Sequence, residues 1–316
     1  MVRYVGEDEI RAALDWDSLI DAMEAALAAF SNGEVAQPVR NLMTIEEGKR
    51  YFGIMPAVAR EAMGAKLVSF YPGNAGGAHP THMATIMLFA PGTGEPLAAL
   101  DGRLITEMRT AAVSAAVTRR LAAPGAQVLA LLGSGVQAEA HLHALRRVRR
   151  FDEIRVWSRN PESAESFARK QGAKAMPAEE AVRGADVVVT ATSAREPVLF
   201  GAWLKAGAHV NAVGACLPTW RELDDAAMAN ILIVDSREAA MKESGDVILS
   251  KAAIFAEAGE VFAGRKTSPT SQTTIFKSLG LAVEDIVSAK LVYDRLESLD
   301  AAATPAKQGA SRRTRS

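Results

Sequence analysis

The sequence predicts an α/β fold. A parallel sheet covered by helices is accompanied by a discontinuous α+β part assembled from the two ends of the chain. Three observations predict it. From about Pro124 onward, short and mainly apolar runs, the first of them wholly apolar, alternate with helical stretches, the pattern of a parallel sheet buried on both faces. A glycine-rich turn, Gly133-Ser-Gly135-Val-Gln-Ala138, directly follows the first of those runs. Before Pro124 the rhythm differs, and a last helical stretch reappears after Lys277.

Taken in order, Ile10, Ala13, Leu14, Leu19, Ile20, Met23, Leu27 and Phe30 recur at helical spacing over residues 7–30, and Ser31-Asn32-Gly33 stops that region. Between Gln37 and Leu100 the apolar runs Tyr51–Met55, Ala65–Tyr71, Met83–Phe89 and Leu97–Leu100 are separated by Pro72-Gly73-Asn74, Gly76-Gly77 and Pro91-Gly92-Thr93-Gly94. This reads as an antiparallel or mixed sheet. Thr106 to about Leu121 reads as a helix. Strands are expected at Val128–Leu132, Glu153–Trp157, Asp186–Thr190, Val210–Gly214 and Ile231–Asp235. Helices are expected from the glycine turn to Val148, over Glu162–Gln171, at a short stretch closing at Ala181–Gly184, and after Lys277 to Leu299. The expected division is residues 118–282 for the parallel-sheet domain, with 1–117 and 283–316 forming the other.

Composition narrows the function classes. The chain has 316 residues, 49% of them hydrophobic and 23% charged, with a net charge of −1. That balance suits a globular protein with a buried core and gives no sign of a nucleic-acid or anionic-membrane partner. The one basic cluster, Lys307, Arg312, Arg313 and Arg315, falls in a tail without large apolar residues and reads as a frayed end. A single cysteine, Cys216, rules out a disulfide within the chain and a cysteine-rich metal site. Together with an N-terminus that has no apolar leader core, it makes the cytoplasm the expected compartment. There is no membrane-length apolar run, and no His/Cys/Asp cluster has metal-ligand spacing.

The glycine turn has the context of a Rossmann phosphate-binding loop, since an apolar strand precedes it and a helix follows. Gly133 permits the tight turn, Gly135 lets a pyrophosphate approach the backbone, and Ala138 is small enough for close helix–strand packing. The anion would sit at the helix N-terminus, where free N–H groups favour it. The second strand then selects the cofactor. Where an NAD site usually places a carboxylate for the ribose hydroxyl, this chain has Ser158-Arg159-Asn160, and no carboxylate until Glu162. Arg159 suits a 2′-phosphate, so NADP(H) is expected. Gly133, Ser134, Gly135, Val136, Gln137, Ser158, Arg159 and Asn160 are the expected contacts, completed by Thr110, Thr192, Val213 and Ser278.

Further blocks include Gln37-Pro-Val-Arg40, Gly53-Ile-Met-Pro56, Lys66-Leu-Val-Ser-Phe-Tyr71, Arg109-Thr-Ala-Ala-Val-Ser-Ala115, Asn211-Ala-Val-Gly-Ala215, Trp220-Arg-Glu-Leu-Asp-Asp225, Lys242-Glu-Ser-Gly-Asp246 and Phe276-Lys-Ser-Leu-Gly280. By these the chain resembles the ornithine cyclodeaminase/mu-crystallin family, on its mu-crystallin (ketimine reductase) branch. The resemblance implies a homodimer whose non-Rossmann domain supplies the interface and the substrate side of the cleft. It also implies that Arg40 and Arg109 hold a substrate carboxylate and that Lys66 both holds the substrate and exchanges a proton. By residue type alone each of these three cations reads more readily as a surface charge than as a ligand. His82, in Pro80-Thr-His-Met-Ala84, matches a histidine of mu-crystallin and is a candidate for lining the cleft. Glu243 is a candidate for holding the substrate nitrogen or Lys66.

Two departures separate the family's activities. Cyclodeaminases carry an acidic residue where this chain has Cys216, and a carboxylate where it has Gly53. A diamine substrate would lack both partners. The expectation is therefore NADPH-dependent reduction of a C=N bond next to a carboxylate, in cyclic imino acids with five- or six-membered rings. The alternatives are a cyclodeaminase or alanine dehydrogenase-like deaminating enzyme, and a non-catalytic NADPH-binding protein of the crystallin kind.

Overall fold

The computed structural model describes residues 2–267 and 271–303. The basic tail Lys307–Ser316 lies outside them. The chain begins with β1 (Arg3–Val5), α1 (Glu7–Ala13) and α2 (Trp16–Ser31). A meander follows: β2 (Asn41–Glu46), β3 (Arg50–Val58), β4 (Met63–Phe70), β5 (His82–Phe89) and β6 (Pro96–Asp101). Next come α3 (Gly102–Leu121), β7 (Val128–Leu132), α4 (Val136–Val148), β8 (Glu153–Trp157), α5 (Pro161–Gln171), β9 (Lys174–Ala175), α6 (Ala178–Val182), β10 (Val187–Thr190) and β11 (His209–Ala212). The described chain ends with α7 (Asp225–Met228), β12 (Ile231–Val234), α8 (Arg237–Glu243), α9 (Gly245–Ser250), β13 (Ile254–Glu257), α10 (Ala258–Phe262), β14 (Thr274–Lys277) and α11 (Ala282–Ala303).

Two sheets result. The first has the order β1-β6-β5-β4-β3-β2; β2 to β6 are antiparallel, and β1 joins β6 in parallel. The second is wholly parallel, in the order β13-β12-β14-β11-β10-β7-β8-β9. Strand order reverses between β7 and β10, the switch point at which open α/β sheets bind ligands. The short apolar strands are where the sequence places them, β8 to the residue. The single helical region expected at 7–30 is two helices. Asp15 caps the second by accepting the Ser18 N–H at 3.0 Å, which offers the backbone a break that apolar spacing does not reveal. α3 starts one turn before Thr106 because Asp101 caps it, accepting from Arg103 N–H at 2.8 Å. β14 inserts between β11 and β12, a long-range pairing with no local signal. Among the described residues no helix is long and apolar enough to cross a membrane.

The long helices α3 and α11 connect the two sheets to the site. α11 packs on β3, β4 and β5 and also on α2 and α3. α3 packs on α4 and against β11 and β14. The α3 seam is polar and satisfied. His141 Nδ1 donates to the Gln137 carbonyl at 2.7 Å, so its Nε2 accepts from Ser114 Oγ at 2.9 Å. Burial lowers the His141 pKa to about 4, which keeps this imidazole neutral. Asn211 Nδ2 donates to Thr118 Oγ1 at 3.0 Å.

Gly64 sets how closely β4 lies against the β5 backbone beneath α11. A Cβ at Gly64 would sit 2.2 Å from the Met87 carbonyl oxygen of β5 and 3.0 Å from Ile286 Cδ1 of α11. Gly64→Ala is therefore expected to cost about 1–3 kcal/mol through overpacking. Chemical denaturation would measure it, and a change under about 0.5 kcal/mol would mean that the helix–sheet approach is not tight.

Candidate active site

β4 carries Lys66 on its inward face, α3 carries Arg109, and the first turn of α11 carries Glu284 and Asp285. These four side chains meet. Lys66 Nζ lies 2.6 Å from Asp285 Oδ2, Arg109 Nε donates to Asp285 Oδ1 at 2.9 Å, and Arg109 Nη1 donates to Glu284 Oε2 at 2.6 Å. Lys66 and Arg109 are 2% and 4% exposed, and both carboxylates are fully buried. Their titration follows from that. Burial lowers the Lys66 pKa to about 8 against the pull of Asp285, with Arg109 adding like-charge repulsion. Burial raises Glu284 to about 7 although Arg109 opposes it. Asp285 is equally buried but faces two cations, which hold it below the ordinary carboxylate value.

Arg40 approaches from the segment before β2. Its Nε donates to Glu243 Oε2 at 3.0 Å, and its Nη2 donates to the Leu279 and Gly280 carbonyls at 2.8 and 3.0 Å. The turn after β14 is held from its other side by Asp235, whose Oδ2 accepts the Leu279 and Gly280 N–H groups at 2.5 and 2.7 Å. Gly280 has φ +83°, and a Cβ there would fall 2.2 Å from Arg109 Nη1. Only glycine serves both the turn and the guanidinium. Burial raises the pKa of Glu243. After these contacts, Arg40 Nη1, Arg109 Nη2 and two of the three Lys66 N–H bonds have no acceptor among the described residues.

His82 is exposed to the cleft and stacks on Phe70, ring centroids 4.3 Å apart. Phe70 also meets Trp220 edge-on, and Arg195 lies over Trp220 at 5.2 Å. Packing against surrounding protein, followed by the Lys66 charge, lowers the His82 pKa. It is therefore neutral at pH 7. The Cys216 side chain is exposed, 3.6 Å from the Val213 carbonyl. A Cβ on Gly53 would meet Val68 Cγ1 at 3.0 Å, so a carboxylate side chain there would have to displace Val68.

The expected cofactor residues, Thr110 apart, gather at the carboxyl ends of the parallel strands. Gly133 to Gln137 join β7 to α4, Ser158 to Asn160 follow β8, and Thr192, Val213 and Ser278 follow β10, β11 and β14. Thr110 lies on α3 beside Arg109 and donates to the Thr106 carbonyl at 2.7 Å. Asn160 caps α5, accepting from Glu162 N–H at 3.0 Å. Arg159 is exposed and has no ion pair among the described residues. These residues fit a dinucleotide. Gly133 has φ +124°, and a Cβ there would strike the Ala191 carbonyl oxygen at 2.5 Å. The N-terminus of α4 has no side-chain cap, and Gln137 Oε1 beside it is buried without a partner.

Sequence reasoning overlooked the carboxylates beneath this cleft. Besides Glu284, Asp285 and Asp235, buried Glu222 accepts from Thr190 Oγ1, Thr192 N–H and Oγ1, and Gly214 N–H at 2.6–2.8 Å. Lys277 bridges the Gly214 carbonyl and Asp246, whose Oδ2 is 3.0 Å away. The available signal was a charged pair inside an apolar stretch, Leu281-Ala-Val-Glu-Asp-Ile-Val287. Asp285→Asn would leave two buried cations short of a partner, and is expected to cost about 3–5 kcal/mol of unfolding free energy. A loss below about 1 kcal/mol in a denaturant titration would contradict the cluster's charged state.

Residues 3–300 match the ornithine cyclodeaminase/mu-crystallin family model. The ketimine reductase mu-crystallin of Rattus norvegicus is 51% identical over 305 residues, covering 93% of this chain and 97% of that protein. The structure of Thermococcus litoralis Δ1-pyrroline-2-carboxylate reductase with NADH and L-proline superposes with a TM-score of 0.90 at 34% identity, covering 95% of this chain and 98% of that one. An archaeal alanine dehydrogenase dimer with bound NAD gives 0.88 at 33%, covering 95% and 97%. The chain belongs to the ornithine cyclodeaminase/mu-crystallin family.

Proposed function

We propose that this protein is an NADPH-dependent reductase of cyclic imino acids of the Δ1-piperideine-2-carboxylate and Δ1-pyrroline-2-carboxylate type. The observation that carries the reading is the convergence of Arg40, Lys66 and Arg109, each with unused N–H donors, beside a dinucleotide cleft. The named activities of the rat and Thermococcus relatives support it. Cys216 and Gly53, standing where a cyclodeaminase needs acids, weigh against deamination of a diamine.

The bound nicotinamide supplies a hydride for the imine carbon. The chain supplies position and charge. Arg109 Nη2 and Arg40 Nη1 receive the substrate carboxylate, and their other nitrogens are fixed by Asp285, Glu284, Glu243 and the 279–280 carbonyls. Fixed donors lose little freedom when the ligand arrives. The Lys66 ammonium shares that carboxylate and is the proton donor within reach of the ring nitrogen, while Asp285 keeps it oriented. A proton on that nitrogen makes the carbon electrophilic. His82 and Phe70 flank the ring as a flat neutral wall.

The NADP preference rests on Arg159, exposed and without an ion pair at the end of β8. The Thermococcus complex holds NADH, so the preference is argued from this chain alone. The homodimer has its own support. Met43, Phe52, Ile54, Leu67 and Met83 share the outward face of the first sheet by strand register. Met43, Leu67 and Met83 are 48%, 36% and 37% exposed, an apolar patch suited to a second copy. Residues 1–117 and 283–316 are read as one domain, which carries this face together with Arg40, Lys66, Arg109, Glu284 and Asp285, and 118–282 as the other, which holds the cofactor and supplies Glu243, Asp235 and the 279–280 turn to the carboxylate site.

Four outcomes are expected. NADPH oxidation followed by absorbance should respond to both imines and fall at least 100-fold in Lys66→Ala and Arg109→Ala. Because the ammonium is the working form, kcat/KM should decline as pH rises through about 8. NADPH binding without turnover on either imine would leave a non-catalytic binder, and a flat profile from pH 6.5 to about 9.5 would remove Lys66 as the acid. Arg159→Ala should weaken NADPH about 10- to 100-fold, the range of a charge-assisted contact, and leave NADH unchanged. Equal losses for both cofactors would refute the phosphate role. Leu67→Asp should convert a dimer to a monomer in sedimentation analysis, whereas an intact dimer would place the interface elsewhere.

A further inference from the structure

The carboxylate site presents a charge problem. Arg40, Lys66 and Arg109 supply three positive charges, but Glu243, Glu284, Asp285 and Asp235 stand among them with four negative ones, a formal sum of −1 when all are ionised. An anionic substrate entering that set would meet no net attraction. One carboxylate must give up its charge, and the contacts identify which. Asp285 has a cation on each oxygen, at 2.6 and 2.9 Å. Asp235 accepts three backbone N–H groups, from Ser236, Leu279 and Gly280. Glu243 keeps 15% of its side chain in solvent, where water can stabilise its charge. Glu284 is fully buried, with Oε2 on Arg109 and Oε1 without a hydrogen-bond partner among the described residues.

Glu284 and the substrate compete for one guanidinium. Arg109 Nη1 is taken by Glu284, and the remaining Nη2 is the one proposed to receive the substrate. Two carboxylates sharing a cation in a buried site do not both stay ionised at little cost. The charged groups acting on Glu284 are Arg109 from α3, Asp235 beyond β12 and its neighbour Asp285, with Lys66 of β4 behind Asp285 and Arg40 across Gly280. Of these, the two acids push Glu284 toward its neutral form.

We propose that Glu284 takes up one proton when a ring carboxylate binds the enzyme–NADPH complex, so that the ligand's carboxylate replaces Glu284 as the counter-charge of Arg109. The proposal rests on the carboxylate-site reading above. It makes substrate binding proton-linked at a residue that does not transfer that proton to the substrate. Protonated Glu284 keeps Arg109 in place as a neutral hydrogen-bonding neighbour, with Oε2 still accepting from Nη1.

Pyrrole-2-carboxylate is a suitable probe, since its ring nitrogen does not titrate near neutrality. Calorimetric titration of the NADPH-loaded enzyme in two buffers of different ionisation enthalpy counts the protons bound per ligand. At pH 7, Lys66 is already about nine-tenths charged and can contribute no more than about a tenth of a proton, whereas Glu284 is near its midpoint. The expected uptake is about half a proton per ligand in the wild type, falling to about a tenth in Glu284→Gln. The variant should bind the probe at least as tightly as the wild type at pH 8. Probe binding with uptake of a tenth or less in the wild type overturns the proposal without any variant. Unchanged uptake in Glu284→Gln also overturns it, because the proton then goes elsewhere. Failure of the probe to bind NADPH-loaded wild type overturns the carboxylate site itself, and this inference with it.

Discussion

The ion cluster of Lys66, Asp285, Arg109 and Glu284 is the constraint on which the rest of the structure depends. Four ionisable groups with 4% exposure or less stand where β4, α3 and α11 meet. Removing such charges from water costs several kcal/mol each, and only close pairing offsets it. The cluster is therefore a poor source of net stability and a strict fixer of position. Asp285 reaches both cations only if α11 lies close on β4, which Gly64 permits. Arg109 stays in its place only because Gly280 has no side chain. Backbone, helix packing and site geometry are thus one arrangement.

A second set of carboxylates extends this logic to the cofactor side. Asp235 holds the N–H groups of the same turn whose carbonyls hold Arg40, so the turn is polarised from both sides. Glu222 binds the loops after β10 and β11 together through Thr190, Thr192 and Gly214. Neither residue has to touch a ligand to matter, because the groups they hold are those proposed to touch one. Preorganised donors of this kind are worth most where water is scarce.

Much of this was legible in the sequence. The wholly apolar run Val128–Leu132, the glycine turn after it and the alternation of short strands with helices beyond it pointed to the parallel sheet, because a strand buried on both faces reads as a continuous apolar run. Arg40, Lys66, Arg109 and Glu243 were singled out by motif, and the structure brings them to one site. What stayed hidden depends on contacts distant in sequence. Glu284 and Asp285 look like ordinary helix-start acids until α11 is docked. β14 is unremarkable until it pairs between β11 and β12. Asp15 splits a helix that the apolar period runs straight through, because a cap acts on the backbone and not on the hydrophobic stripe.

The central claim is that the cleft delivers a hydride to the carbon of a C=N bond next to a carboxylate. Its most direct test uses NADPH with both hydrogens at nicotinamide C4 replaced by deuterium, with Δ1-pyrroline-2-carboxylate or Δ1-piperideine-2-carboxylate, and reads the product by mass spectrometry and proton NMR. The account predicts proline or pipecolate with one deuterium at the α-carbon. A product without label at that carbon, or NADPH consumed with no amino acid formed, would contradict it.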